Sequence, residues 1–350
     1  MKYQLLGNSG LRVSEVCLGT MTFGTETGWG ADQAVSRQMY ALFRDAGGNF
    51  VDTANFYTNG SSEQFLGEFI RGHRQQVVLA TKYTDAAPGS DPNAGGNQRK
   101  NMVQSVEASL KRLKTDYIDL YWVHSWDFFT PVEEIMRGLD DLVRQGKILY
   151  VGVSDAPAWA VAEANMLASL RGWTPFVGLQ IEYNLAQRTP ERELLPLAHA
   201  RNLSVLAWSP LAGGLLTGKY GSHQANGSNG GAKAGQTSRG TELTARNLAI
   251  AQAVQSVADA VGGEPSQVAL RWLLDRGIIP ILGGTKVPQI ENNLKSLDLT
   301  LTAAQTGQLN EASRIELGFP HDFLTQTRGY TFGGQFDNIT TVKKQIFVTA

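Results

Sequence analysis

The sequence lacks the features of disulfide-linked, membrane-spanning and nucleic-acid-binding proteins. Its single cysteine, Cys17, excludes an internal disulfide and is typical of a reducing compartment. No apolar run approaches the roughly 20 residues that a transmembrane helix needs, and the first residues lack the apolar core of a signal peptide. The formal net charge of −1 favours neither nucleic acid nor a membrane surface as a partner. We therefore expect a cytoplasmic protein.

The sequence also gives no indication of a metal site or of an open dinucleotide-binding sheet. His73, His199, His223 and His321 show no paired spacing typical of a metal site, so we predict no bound metal. An open dinucleotide-binding sheet should carry G-x-G-x-x-G after its first strand, but the turn at residues 19–24 reads GTMTFG. A different α/β architecture is therefore favoured.

The sequence does contain a regular alternation of strand-like and helix-like patterns. Short apolar runs recur near residues 16, 50, 78, 119, 149, 177, 205 and 279. Apolar residues at helical spacing separate most of them; one such face comprises Val103, Val106, Leu110 and Leu113. Parallel strands need crossover helices, and eight such units favour a closed (β/α)8 TIM barrel.

We predict a single barrel domain over residues 1–350 with three additions. An N-terminal β-hairpin is expected where strand-like residues flank the turn at 7–10, which reads GNSG. The polar, glycine-rich stretch at 221–240 is expected to be a flexible loop insertion. Residues 318–350 form a C-terminal tail, whose aromatic residues could fold over the barrel.

Four polar residues lie at or just after the ends of three strand-like runs: Asp52, Tyr57, Lys82 and His124. Strand ends of a barrel share one mouth, where barrel enzymes keep their active sites. A free tyrosine titrates near pKa ~10, and a nearby ammonium lowers that pKa toward the range useful for acid catalysis. Asp52 would keep Lys82 charged, and His124 would orient a substrate oxygen or share the proton transfer. Each residue alone also fits a cap, a snorkelling lysine or a core side chain, but together they predict a proton-donating site.

These residues and their spacing resemble the aldo-keto reductase superfamily. Residues 52–67, which read DTANFYTNGSSEQFLG, are similar to its first signature, and Lys82 and His124 are similar to the rest of its catalytic tetrad. The similarity keeps its order over about residues 3–315. Four later segments also resemble motifs of the superfamily: residues 152–154 (GVS), 180–184 (QIEYN), 207–211 (AWSPL) and 283–293.

The resemblance implies NAD(P)H-dependent reduction of an aldehyde or ketone. Hydride would pass from the nicotinamide to the carbonyl carbon while Tyr57 protonates the oxygen. Lys82 and Asp52 would lower the pKa of Tyr57, and His124 would position the carbonyl. The partner is then a small-molecule carbonyl compound.

The resemblance also implies which residues hold the cofactor. Ser154 and Gln180 would hold the carboxamide, and Trp208 would stack on the nicotinamide ring. Backbone after the seventh strand would meet the pyrophosphate. The implied cofactor-binding residues are Thr20, Met21, Asp52, Ser154, Asp155, Gln180, Trp208, Ser209, Pro210, Leu211, Gly213, Leu215, Lys219, Gly283, Thr285, Lys286, Gln289 and Asn293.

Two positions depart from the family pattern. Asp155 stands where asparagine is usual, and a carboxylate can accept from the carboxamide NH2 but cannot donate to its carbonyl. Thr285 stands where many members carry an arginine for the 2′-phosphate. Lys286 would replace that arginine as a point charge, so we expect NADPH ahead of NADH.

Aromatic residues in the loops after the first and fourth strands would wall an apolar or aromatic substrate pocket, although packing of long loops explains them equally well. The predicted substrate-binding residues are Phe23, Trp29, Tyr57, His124 and Trp126.

Three other functions fit parts of the sequence. Residues 213–220 (GGLLTGKY) nearly match a phosphate-binding G-x-x-x-x-G-K-[ST] loop, but Tyr220 replaces the residue that binds Mg²⁺. A Schiff-base enzyme using Lys82 leaves the motifs at 207–211 and 283–293 unexplained. The alternative within the family is a nucleotide-binding, redox-sensing accessory subunit of an ion channel. The short segment before the hairpin favours the free enzyme.

Overall fold

The computed structural model describes residues 1–87, 89, 91–220, 235–237 and 239–340. Eight parallel strands close into a barrel, in the order β3 to β10 and back to β3, which confirms the predicted (β/α)8 architecture. The barrel strands are β3 (Cys17–Gly19), β4 (Phe50–Asp52), β5 (Val78–Tyr83), β6 (Ile118–Val123), β7 (Ile148–Ser154), β8 (Phe176–Glu182), β9 (Ser204–Trp208) and β10 (Ile279–Leu282).

Helices cover the outer face of the barrel because parallel strands can be joined only by crossovers. Several begin with a side-chain cap; Asp32 Oδ1, for example, accepts from the Val35 N–H at 2.8 Å. The helices are α1 (Gln33–Asp45), α2 (Ser61–Phe69), α3 (Arg99–Leu113), α4 (Val132–Arg144), α5 (Ala158–Arg171), α6 (Leu194–Arg201), α7 (Ala245–Val261), α8 (Pro265–Leu274), α9 (Val287–Leu294), α10 (Ala303–Ala312), α11 (His321–Gln326) and α12 (Arg328–Thr331).

One predicted helical face is rotated from its expected position. In α3, Met102, Val106 and Leu113 are buried, whereas Val103 is 40% exposed. The buried stripe also includes Ser105 and other small polar residues, which the apolar pattern alone does not reveal.

The predicted hairpin closes the amino end of the barrel. Strands β1 (Tyr3–Leu5) and β2 (Arg12–Ser14) pair antiparallel, and the Leu6 side chain packs among the residues of the barrel interior. Gly7 has φ +53°, and a Cβ there would lie 2.1 Å from the Val177 carbonyl oxygen, so only glycine fits. The Gly7 N–H donates to Ser204 Oγ at 2.7 Å, at the first residue of β9.

The Trp122 indole packs in the barrel interior together with Leu6 and other apolar residues. Trp122 is fully buried on β6, and in the sheet register it pairs with Lys82 on one side and Gly152 on the other. A Cβ at Gly152 would lie 2.3 Å from the Trp122 ring, and one at Gly178 would lie 2.9 Å from it. The two glycines therefore provide the volume that this ring occupies.

The loop insertion and the tail are described only in part. Residues 221–234 and 238 of the predicted 221–240 loop, and residues 341–350 of the tail, lie outside the described residues. Within the described tail, Phe319 and Tyr330 are 85% and 92% exposed. Over the described ranges, no helix combines the length and apolarity needed to cross a membrane.

Candidate active site

The carboxyl ends of neighbouring strands bring the four predicted polar residues together. Asp52 ends β4, Lys82 lies near the end of β5, and His124 follows β6 directly. Tyr57 begins a short 3-10 turn five residues after Asp52, and the left-handed conformation of Thr58 and Asn59 tightens that turn. The result is one cluster at the mouth of the barrel.

Lys82 is the centre of this cluster. Its Nζ donates to Asp52 Oδ2 at 2.5 Å, to the Thr53 carbonyl at 2.8 Å and to the Tyr57 hydroxyl at 3.1 Å. The other carboxylate oxygen, Asp52 Oδ1, accepts from Gln180 Nε2 at 3.0 Å. All three ammonium donors are used, as a fully buried charge requires.

The electrostatics favour a charged lysine and a protonated tyrosine. Burial opposes the charge on Lys82, but the attraction of Asp52 and Tyr57 outweighs it and raises the pKa of Lys82. Burial also raises the pKa of Asp52, against the opposing effect of Lys82. For Tyr57, burial raises the pKa, and Lys82 partly offsets this. Asp52 repels the phenolate and adds to the rise, so the pKa of Tyr57 is raised overall and not lowered as expected; of the two residues, only Lys82 acts to lower it.

His124 is neutral at this site. Burial, together with the nearby Lys82 charge, lowers the pKa of His124 from 6.5 to about 2. Its Nδ1 lies 3.3 Å from Asp85 Oδ2, but the atoms are not aligned for a hydrogen bond. The imidazole packs against the rings of Tyr57 and Phe56, with centroids 5.8 and 5.5 Å away. Phe56 is 37% exposed at the mouth; its only sequence signal is its position before Tyr57.

Asp155 links the ends of β7 and β9. Its Oδ1 accepts from Trp208 Nε1 at 3.1 Å, and its Oδ2 accepts from the Ser154 hydroxyl at 3.1 Å. Asp155 has φ +45°, a left-handed conformation that aspartate and asparagine tolerate better than most residues. Asp155 is exposed at the mouth, yet partial loss of hydration at its carboxyl raises the pKa, against the opposing hydrogen bonds from Trp208 and Ser154.

A cavity of about 320 Å³ opens beside Trp208. Arg239 lines it, and the guanidinium of that residue stacks on the Trp29 ring at 4.7 Å from the centroid. Gly213 and Gly214 adopt positive φ nearby, and a Cβ at Gly213 would lie 2.7 Å from Thr241 Oγ1. Sequence reasoning missed Arg239, because it lies in a polar stretch that predicts only a flexible loop.

The predicted adenosine-end residues lie just before and within α9: Thr285 and Lys286 precede the helix, and Gln289 and Asn293 belong to it. Gln289 Oε1 accepts from the N–H groups of Thr285 and Lys286 at 2.7 and 3.1 Å, so its amide oxygen is used by the helix terminus. The Lys286 side chain is exposed, and Asn293 is buried.

The other predicted cofactor residues occupy varied positions. Thr20 is buried, and its hydroxyl donates to the Asp52 carbonyl at 3.0 Å. Met21 is 43% exposed at the mouth. Leu215 is fully buried, so it offers no exposed surface to a ligand. Of the remaining residues in this set, Pro210 is buried, Ser209 and Leu211 are half-buried, and Lys219 and Gly283 are exposed.

Two of the predicted pocket walls do not line an open pocket. Phe23 is 1% exposed and packs edge-on against Phe69 at 6.2 Å, because its loop turns the ring into the core. Trp126 is 7% exposed. Trp29, at 44% exposure, is the one member of the three that reaches the surface of the mouth, where it carries Arg239.

Comparison with known proteins gives consistent results. A model of the Aldo/keto reductase family matches residues 15–314. A norsolorinic acid reductase of Aspergillus flavus is 37% identical over 337 residues, which cover 92% of this chain and 84% of the relative. An aryl-alcohol dehydrogenase (NADP(+)) of Phanerodontia chrysosporium is 36% identical over 336 residues, which cover 91% and 87%. The family match spans the whole barrel, and the chain therefore belongs to the aldo/keto reductase family.

Proposed function

We propose that the protein reduces an aldehyde or ketone to the alcohol, with hydride from NADPH and a proton from Tyr57. The observation that carries the proposal is the position of Lys82 Nζ, hydrogen-bonded to both Asp52 and the Tyr57 hydroxyl. Membership of a family of oxidoreductases supports carbonyl reduction as the reaction.

The donor set near the mouth fits a nicotinamide dinucleotide. Ser154 and Gln180 offer a hydroxyl and an amide for the carboxamide, and the half-buried Trp208 offers an aromatic face for the ring. Arg239 is suited to a pyrophosphate, since a guanidinium binds phosphate oxygens, whereas the Gly213 N–H already donates to Ser209 Oγ at 3.2 Å. When bound, the reduced cofactor supplies the hydride.

Tyr57 is the proton donor in this proposal. Its raised pKa keeps the hydroxyl protonated at neutral pH, ready to donate to the carbonyl oxygen. The phenolate that remains is stabilised by Lys82, which stays positively charged because Asp52 lies 2.5 Å away. Neutral His124, packed against the Tyr57 ring, holds the carbonyl oxygen toward the hydroxyl.

NADPH is preferred over NADH because Lys286 is exposed beside α9, where it can pair with a 2′-phosphate. The NADP(+) in the name of the aryl-alcohol dehydrogenase relative supports this choice. The names of the two relatives, with the exposed Phe56, Trp29 and Phe128 near the mouth, favour an aromatic aldehyde or ketone. A cytoplasmic location remains our proposal.

The test follows NADPH absorbance with a panel of aromatic and aliphatic aldehydes and ketones. Tyr57→Phe should lower kcat by at least about a hundredfold while leaving NADPH binding unchanged, because it removes the acid and keeps the ring. Tyr330→Phe, at an exposed position in the tail, is the matched control and should behave as wild type. Carbonyl-dependent NADPH oxidation that survives Tyr57→Phe would refute the role of Tyr57.

The second candidate is the channel accessory subunit. It predicts tight NADPH binding with negligible turnover for every carbonyl in the panel. The reductase and dehydrogenase names of the relatives give this candidate no support.

A further inference from the structure

Three carboxylates surround the mouth without a cationic partner. Among the residues that the structure describes, Asp85, Asp155 and Glu182 form no ion pair with lysine or arginine, and His124, which lies beside Asp85, is neutral. Partial loss of hydration raises the pKa of all three carboxyls. Lys82 is committed to Asp52. Arg239, which lines the same cavity as Glu182, stacks on Trp29 and forms no ion pair with any of the three. Within the described ranges, the three carboxylates therefore lack a salt-bridge partner at the mouth.

Asp155 is the carboxylate most directly connected to the cofactor side. It accepts from the indole N–H of Trp208 at 3.1 Å and from its neighbour Ser154. Under the function proposed above, on which this inference rests, Trp208 carries the nicotinamide ring and Ser154 binds the carboxamide. Only the Trp208 side chain then separates the Asp155 carboxylate from the nicotinamide ring.

The two redox states of the cofactor differ by one charge at that ring. The oxidised nicotinamide ring is a cation, and the reduced ring is neutral, so a fixed carboxylate beside it attracts only the oxidised form. We propose that Asp155 makes this protein bind NADP⁺ in preference to NADPH, relative to the same site with a neutral amide. The residue would thus set how firmly the product cofactor of carbonyl reduction is retained and how readily the site starts alcohol oxidation.

A substitution can distinguish the effect of the Asp155 charge from the effect of its hydrogen bond with Trp208. An asparagine carbonyl oxygen can accept from Trp208 as the carboxylate does, and asparagine also tolerates the φ of +45° at this position. Asp155→Asn therefore removes the charge and keeps the acceptor for Trp208, while its NH2 group can donate to the Ser154 hydroxyl oxygen in place of the bond that the carboxylate accepted. Glu163→Gln, at an exposed position on α5, removes the same net charge far from the mouth and is the matched control.

The experiment measures the Kd of NADP⁺ and of NADPH by calorimetry, without substrate, for the full chain and both variants. Asp155→Asn should lower the preference for NADP⁺ by about tenfold, the change that one nearby charge at intermediate dielectric produces. The loss should fall on NADP⁺, with the NADPH affinity unchanged or improved. Glu163→Gln should leave the ratio as in wild type.

A second variant tests the alternative that Asp155 acts only by orienting the indole. Trp208→Phe removes the hydrogen bond to Asp155 but keeps the carboxylate, so both affinities should fall while their ratio stays near that of wild type. Two results would overturn the proposal, provided that both nucleotides still bind. One is a ratio of NADP⁺ to NADPH affinity that Asp155→Asn leaves unchanged, and the other is loss of the wild-type ratio in Trp208→Phe. Failure of the wild-type protein to bind either nucleotide would instead refute the proposed function.

Discussion

Lys82 donates to Asp52 at 2.5 Å, and this ion pair is almost completely sealed from solvent, with side-chain exposures of 0% and 3%. A buried pair adds little net stability, because the cost of removing both charges from water offsets their attraction. The pair instead fixes the position of the Lys82 ammonium. This group donates to Asp52 and to the Thr53 carbonyl, and its third N–H donates to the Tyr57 hydroxyl.

Removing Lys82 should therefore damage both activity and stability. We expect Lys82→Met to lower kcat by at least about a hundredfold, since Tyr57 loses the charge that stabilises its phenolate. The same change should cost about 3–5 kcal/mol of unfolding free energy, because it leaves Asp52 buried without its partner. Urea denaturation and steady-state kinetics measure the two effects. Adding Asp52→Asn should restore much of the stability and none of the activity; recovery of activity would contradict the role given to Lys82.

His124 predicts a pH dependence of stability. Its folded-state pKa is lowered to about 2, below the unfolded value near 6.5, so below pH 6.5 the unfolded chain binds a proton that the folded chain does not. The stabilising effect is complete above the unfolded pKa and is lost as the pH falls. The difference in unfolding free energy between wild type and His124→Gln should shrink by about 1.4 kcal/mol per pH unit below that value.

The packing of Trp122 predicts a coupled effect on stability. Gly152→Ala should destabilise the barrel by about 1–3 kcal/mol, because its Cβ would lie 2.3 Å from the Trp122 ring. Trp122→Leu makes room for that methyl group, so the double variant should be more stable than the sum of the single effects predicts. Chemical denaturation of the four proteins measures the coupling. Strict additivity would mean that the destabilisation by Gly152→Ala does not come from a clash with the Trp122 ring.

Lys286 predicts the cofactor preference. Lys286→Ala should reduce the ratio of NADPH to NADH affinity by about tenfold, the effect of losing one charge-assisted contact to a phosphate. Lys111→Ala, at an exposed position on α3, removes an equal charge and should leave the ratio unchanged. A ratio that also survives Lys286→Ala would assign the 2′-phosphate to another cation.

Much of this site could be predicted from the sequence, because the apolar runs locate the strands and the polar residues that follow them mark the mouth of the barrel. The eight apolar runs match the eight barrel strands because fully buried parallel strands, such as β5 and β6, have no polar face to interrupt them. Once the runs are placed on a barrel, Asp52, Lys82 and His124 must share one mouth.

Other features depend on contacts that sequence spacing does not encode. The hydrogen bond from Gln180 to Asp52 joins residues 128 positions apart. The burial of Phe23 depends on the direction in which its loop turns, and the stacking of Arg239 on Trp29 joins two loops. Burial of Tyr57 raises its pKa more than Lys82 lowers it, a balance that the spacing of the residues does not reveal.

The hairpin that closes the amino end of the barrel also determines where a tag, a fusion partner or a solid support lies relative to the active site. Residues 3–14 lie across the floor of the barrel, anchored through Gly7 and Ser204, while Tyr57 and His124 open at the opposite face. A tag, a fusion partner or a solid support joined at the first residue therefore sits on the side away from the chemistry. Immobilisation through that end would leave the mouth facing the solution.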